Sequence, residues 1–204
     1  MKMKMYCPIA TGHKSKKFKS FNWLLSPYGP REMRPNWQTD KLYACDNGAW
    51  TCHQKKIPFD NDIFRRYLQL RAEKARWIVV PDKVGCKDTT LEMFEKWSVE
   101  LSGLPLMMAL QDGMTPEDVP SCTVGVFLGG TTEYKLSSLK GWGRWAKKEK
   151  KLLHVARVNS AKRLDLCLHA GATSVDGSGV VRFPNTFRII NNWIKSQNQQ
   201  MKLW

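Results

Sequence analysis

The chain has 204 residues, enough to bury one core without disulfide or metal support. Lys and Arg number 33 against 18 Asp and Glu, giving +15 with His neutral, so a polyanion is the natural partner and nucleic acid the commonest one. No apolar run is long enough to span a bilayer, and Cys7, Cys45, Cys52, Cys86, Cys122 and Cys167 match neither a disulfide framework nor a zinc-ligand spacing, so no metal and no membrane partner is expected.

The opening Met1-Lys2-Met3-Lys4-Met5 is basic, and no signal-peptide apolar core follows it, so the expected location is cytoplasmic. Residues 1–40 form a basic and aromatic strand-and-loop region. Lys14, Lys16 and Lys17 sit in a cluster that reads as a loop or arm. Residues 22–27 read as a short strand stopped by Pro27. The loop from Pro27 to Trp37 combines Arg31 and Arg34 with aromatic rings. That mixture suits a nucleic-acid contact, with Arg on phosphate and Trp37 on a base, or a packed surface loop.

Residues 41–45 predict a strand that ends in Asp46-Asn47-Gly48. Apolar residues at helical spacing predict a helix over 59–74. Residues 76–80 read as a buried strand ending in Pro81-Asp82. A Thr-x-x-Glu signature at Thr89 and Glu92 opens a helix over 89–102. The strand over 104–110 ends in Gln111-Asp112-Gly113, and Pro116 sits in the first turn of a short helix. The strand over 123–128 ends in Gly129-Gly130, with Glu133 just beyond. A Lys- and Trp-rich helix covers 136–149. The strand over 152–156 ends in Arg157-Val158-Asn159, and Ser160 caps a helix to 170. Thr173-Ser174-Val175-Asp176-Gly177 is a last strand with an acid at its end. A helix over 184–197 and a polar tail to 204 complete the chain.

Strand and helix alternate, which predicts right-handed βαβ units and a parallel sheet. About seven strands can be counted. The expected fold is α/β: a single-domain, compact (β/α)8 TIM-like barrel, closed or incomplete. An open doubly wound sheet is the alternative. No Gly-x-Gly-x-x-Gly or Walker loop is present, which disfavours dinucleotide binding and P-loop chemistry.

In a barrel the strand ends share one pocket. Asp46, Asp82, Gln111, Gly129, Gly130, Asn159 and Asp176 all stand at such ends. Gln donates and accepts while an ionised Asp only accepts, so together they can read a purine edge. Two carboxylates suit chemistry at a sugar carbon that becomes oxocarbenium-like, one attacking and one handling protons.

These residues resemble a known family. Asp46-Asn47-Gly48-Ala49-Trp50 is similar to the Asp-Ser-Gly-Gly-Phe motif of the tRNA-guanine transglycosylases. Val80-Pro81-Asp82 lies where that family has a base-reading Asp. Leu110-Gln111-Asp112-Gly113 resembles its Gln-Gly-Gly segment, and Gly129-Gly130-Thr131-Thr132-Glu133 resembles its Gly-Gly-Leu-Ala-Val-Gly-Glu motif. Ala170 to Asp176 sits like the stretch that carries the nucleophile. The resemblance covers roughly residues 40–180. Ala156 to Ser160, followed by Ser174-Val175-Asp176-Gly177, looks most like the short, DNA-acting phage branch, the 7-deazaguanine DNA transglycosylases. The Cys/His spacing of the tRNA enzymes' zinc module is not found here, which points to a nucleic acid other than tRNA.

The resemblance implies exchange of guanine in DNA for a free 7-deazaguanine base such as 7-cyano-7-deazaguanine, in the host cytoplasm, without a cofactor. Asp176 would attack C1′ and Asp46 would shuttle protons. Asp82, Gln111, Gly129 and Gly130 would read the purine, Glu133 would orient the pocket, and Asn159 and Arg157 would hold sugar or phosphate. The target guanine would be flipped or single-stranded. Two DNA-directed alternatives stay open: a glycosylase that excises a modified base, and a non-catalytic DNA-binding barrel. A third keeps RNA as substrate.

Overall fold

The computed structural model describes residues 3–10, 16–29 and 32–200, with side chains to 197. Eight strands form a closed ring in sequence order: β1 (Lys4–Cys7), β2 (Asn22–Leu25), β3 (Tyr43–Cys45), β4 (Ile78–Val79), β5 (Leu106–Leu110), β6 (Gly125–Leu128), β7 (Leu152–Val155) and β8 (Ser174–Asp176). Every neighbouring pair is parallel. The ring closes by pairing Met5 with Val175 and Tyr6 with Asp176. The protein is thus a closed, single-domain TIM-like (β/α)8 barrel in its strand ring; a doubly wound sheet, which has two open edges, is excluded. The strand beyond the sequence count is β1, whose Met5, Tyr6 and Cys7 are buried while Lys4 is exposed.

The helices are α1 (Ala49–Lys55), α2 (Asn61–Arg71), α3 (Lys87–Glu100), α4 (Thr132–Lys148), α5 (Ala161–His169), α6 (Gly179–Arg182) and α7 (Pro184–Gln200). Side-chain caps explain several starts. Asp60 accepts from the Asp62 and Ile63 amides at 2.9 Å, Thr131 from Tyr134 at 3.1 Å, and Ser160 from Arg163 at 3.4 Å. The start of α3 lies two residues before the Thr89 signature, and Thr90 Oγ1 instead donates back to the Cys86 carbonyl at 2.7 Å. Only a three-residue 3-10 turn, Pro116–Asp118, follows β5.

No α-helix follows β1 or β2 among the described residues. Aromatic packing covers that side. Phe18 and Phe21 meet Phe187 of α7 at 5.0 and 5.9 Å between ring centroids, and Phe18 meets Trp23 at 6.2 Å.

Strand residues alternate between two concentric cores, as a barrel requires. Leu25, Cys45, Ile78, Met108, Leu128, Leu153 and Val175 belong to the outer layer against the helices. Tyr6, Leu24, Ala44, Trp77, Val79, Met107 and Ala109 form the inner cluster, with Phe127 packed on it. These side chains fill the lumen up to the carboxyl end of the strands, where a cavity remains.

Candidate active site

A cavity of about 530 Å³ opens at that end, within the size range of small-ligand sites. Asp46, Asp82, Gln111, Gly129, Gly130, Arg157 and Asp176 all line it. Apolar walls come from Leu24, Val79, Ala109, Phe127 and Ala156. Seven of the residues expected from the sequence therefore share one cavity.

Each strand end positions its own group. Asp46 follows β3, where its Oδ2 accepts from the Gly48 amide at 3.2 Å. Burial is the main cause that pushes its carboxyl up to about 7, with the nearby Asp176 and Asp82 charges adding to it. Asp82 follows β4, which Pro81 ends by withholding an amide. Its Oδ1 accepts from Asn47 Nδ2 at 2.6 Å and its Oδ2 from Gln111 Nε2 at 2.8 Å. Burial raises the Asp82 carboxyl to about 6 although both donors pull it down. Gln111 is itself oriented, because its Oε1 accepts from the Gly85 amide at 2.9 Å. Each Asp82 oxygen keeps a further lone pair for a ligand donor.

Asp176 ends β8 and is buried. Its Oδ1 lies 3.1 Å from His154 Nε2 and accepts from the Arg157 amide at 3.2 Å. No described residue donates to Oδ2. Arg157 adopts a left-handed backbone, φ 59°, rare for a residue with a side chain. That turn aims its amide at Asp176 and its side chain across the cavity mouth. The guanidinium lies 4.1 Å from the centre of the Trp50 ring and donates to the Gly130 carbonyl. His53 stacks on Trp50 at 5.5 Å. Behind β7, buried Lys135 donates from Nζ to the Ala156 carbonyl at 2.9 Å, and burial pushes its ammonium down to about 8.

The glycine loop after β6 is held from two sides. Asp112 accepts from the Thr131 amide at 2.8 Å and hydroxyl at 2.6 Å, while Arg157 takes the Gly130 carbonyl. A Cβ at Gly130 (φ 71°) would stand 2.3 Å from Asp112 Oδ1, so this loop requires glycine. Two departures from the resembled motifs, Asp112 and Thr131, are therefore bonded to each other.

Two expected residues lie outside the cavity lining. Glu133 is exposed in the first turn of α4. Asn159 accepts from the Gly179 amide at 2.9 Å and so braces the turn after Asp176. A Cβ at Gly177 would meet Val158 O and Asn159 Oδ1 at 2.5 Å, which explains the glycine beside the acid.

Of the expected nucleic-acid contacts, Lys16, Lys17 and Arg34 are exposed. Trp37 is half-buried, with the Arg71 guanidinium 5.0 Å from its ring centre and Tyr43 against its edge, so it packs the loop. Arg71 also donates to the carbonyls of Glu32 and Trp37 at 2.8 and 3.1 Å, which fastens that loop. Lys14 and Arg31 lie outside the described residues. Sequence reasoning missed Asn47, Trp50, His53, Asp112, Thr131 and His154.

Among the described residues no group of three or more His, Cys, Asp or Glu is placed to hold a metal ion, and no helix is long and apolar enough to cross a membrane. The chain matches no protein-family model, and no curated protein is similar enough to it to count as a relative.

Proposed function

We propose that the protein exchanges guanine in DNA for a 7-deazaguanine base through a covalent Asp176–deoxyribose intermediate. One observation carries the reading: Asp46 after β3 and Asp176 at the end of β8 line one cavity in different environments. A carboxyl near 7 is populated in both protonation states at neutral pH, which suits a proton shuttle. A carboxylate held by N–H donors on one oxygen suits a nucleophile.

In the first half-reaction Asp176 attacks C1′ and the bond from C1′ to N9 breaks. The electron pair leaves with guanine, which takes the proton of Asp46. In the second half-reaction the incoming base gives its N9 proton to Asp46 and attacks C1′, releasing the Asp176 carboxylate. Asp82 accepts from the purine's N–H groups while Gln111 and Asn47 hold it in place. The guanine leaves the base stack to enter the cavity, and the Trp50 and Arg157 rim with the Lys/Arg excess holds the strand.

The test is a transfer assay with guanine-containing DNA and radiolabelled guanine or a 7-deazaguanine. Label enters DNA with the wild type, and Asp176→Asn abolishes the transfer while leaving DNA binding intact. Abasic sites without label would make the protein a glycosylase. Neither product, with DNA still bound, would leave a binding barrel. Transfer surviving Asp176→Asn would move the nucleophile elsewhere.

A further inference from the structure

One line of polar groups runs through the otherwise apolar lumen. Ser174 and Asp176 stand two apart on β8 and so face the same side. His154 on β7 is in register with Ser174. Its imidazole is fully buried, with Nδ1 2.8 Å from Ser174 Oγ and Nε2 3.1 Å from Asp176 Oδ1. Phe127 stacks on the ring at 4.8 Å and 14°, Trp77 lies at 4.8 Å, and Tyr6 meets it edge-on at 5.8 Å. These three rings and two hydrogen bonds leave the imidazole one orientation.

The residue types are those of a Ser–His–Asp hydrolase relay, but the order relative to the cavity is inverted. Asp176 lines the cavity, whereas Ser174 is buried and does not. No substrate reaches the hydroxyl, so the relay acts on the carboxylate.

We infer that His154 is a positioning residue that, with the Arg157 amide, ties down Asp176 Oδ1 and leaves Oδ2 as the attacking atom. The inference rests on Asp176 being the nucleophile. An ionised carboxylate only accepts, so the proton on the Asp176 side belongs to Nε2, and the Ser174 hydroxyl supplies the donor that Nδ1 then needs. A carboxylate otherwise turns about a broad, two-fold torsion with equivalent oxygens. Two donors on one oxygen remove that equivalence. The imidazole proton stays on Nε2 throughout, so His154 neither gives nor takes one in the reaction.

The test combines rate and spectroscopy. His154→Phe keeps a ring but no donor; single-turnover formation of the covalent protein–DNA adduct slows on the order of 100-fold, as for a reacting group about 1 Å out of place, with DNA affinity unchanged. His154→Gln, which carries an amide donor, recovers about tenfold of that loss. Ser174→Ala, which leaves the imidazole in place, falls between wild type and His154→Phe. In the unreacted wild type, 15N imidazole NMR finds His154 protonated on Nε2, with a signal that moves in Asp176→Ala. Adduct formation at the wild-type rate in His154→Phe, or a proton on Nδ1 alone, overturns the inference. If the wild type forms no adduct, the nucleophile reading fails instead, and the imidazole signal still decides whether His154 holds Asp176.

Discussion

Asp46→Asn probes how much unfavourable charge the cavity stores. An exposed Asp titrates near 4, and burial beside two other carboxylates brings Asp46 to about 7. A carboxyl raised on folding binds its proton more tightly in the native state. Native stability is therefore greatest below the unfolded value, falls as pH rises from about 4 to 7, and levels off above that. At about 1.4 kcal/mol per unit, ionising Asp46 costs the fold about 4 kcal/mol by pH 8. Asn has nearly the same shape and no charge to bury. Between pH 5 and pH 8 the wild type crosses two of those units, so the stability advantage of Asp46→Asn grows by about 3 kcal/mol. For a domain of this size, that widens the gap in Tm by roughly 5–10 °C. The assay is thermal unfolding of both proteins by circular dichroism at fixed ionic strength across this range. A gap that is constant, or that narrows toward pH 8, refutes the reasoning. The same substitution removes base exchange at every pH, because Asn cannot carry the shuttled proton.

Two further outcomes follow from the charge and from the turn after β8. With +15 on the chain, DNA affinity falls steeply with salt, with a log–log slope of several units; a flat response in a filter-binding titration would show that phosphates are not being neutralised. Gly177→Ala places a methyl group 2.5 Å from Val158 O and Asn159 Oδ1, so urea unfolding should register a loss of about 1–3 kcal/mol. Because Val158 N–H donates to the Asp176 carbonyl at 2.6 Å, exchange should fall even well below Tm. Unchanged stability and rate would mean that the turn relaxes freely.

The barrel was legible where an apolar run ends abruptly in an acid, an amide or glycine, as at Asp46, Asp82, Gln111, Gly129 and Asp176. Each of those runs is a strand, and each of those residues lines the cavity. The first strand was obscured because Lys alternates with Met there, so local charge masked a period of two. Helix α1 has no apolar stripe, only Ala49 and Cys52 buried, and it starts from Gly48 without a side-chain cap. Trp50 and His53 could therefore not be assigned to a face over the cavity. His154 is a single polar residue in an apolar strand, and nothing local says which side is the lumen. Its role emerges only when β7 and β8 are paired. Glu133 and Asn159 stand a few residues past their strands, and by then the chain has turned away from the cavity.

The seam of the ring lies between the first strand and the last. The strand carrying Asp176 pairs with β7 on one side and with β1 on the other, the latter through pairs such as Lys4 with Ser174 and the Lys4 amide on the Thr173 carbonyl at 3.0 Å. During synthesis β1 is made first and waits with an open edge until β8 emerges from the ribosome. The contacts between β1 and β8 span the greatest sequence separation of any strand pair in the ring, and they flank Asp176, the proposed nucleophile. A nascent or proteolysed chain that stops short of β8 lacks both the closure and Asp176, so the ring and its proposed nucleophile are completed together.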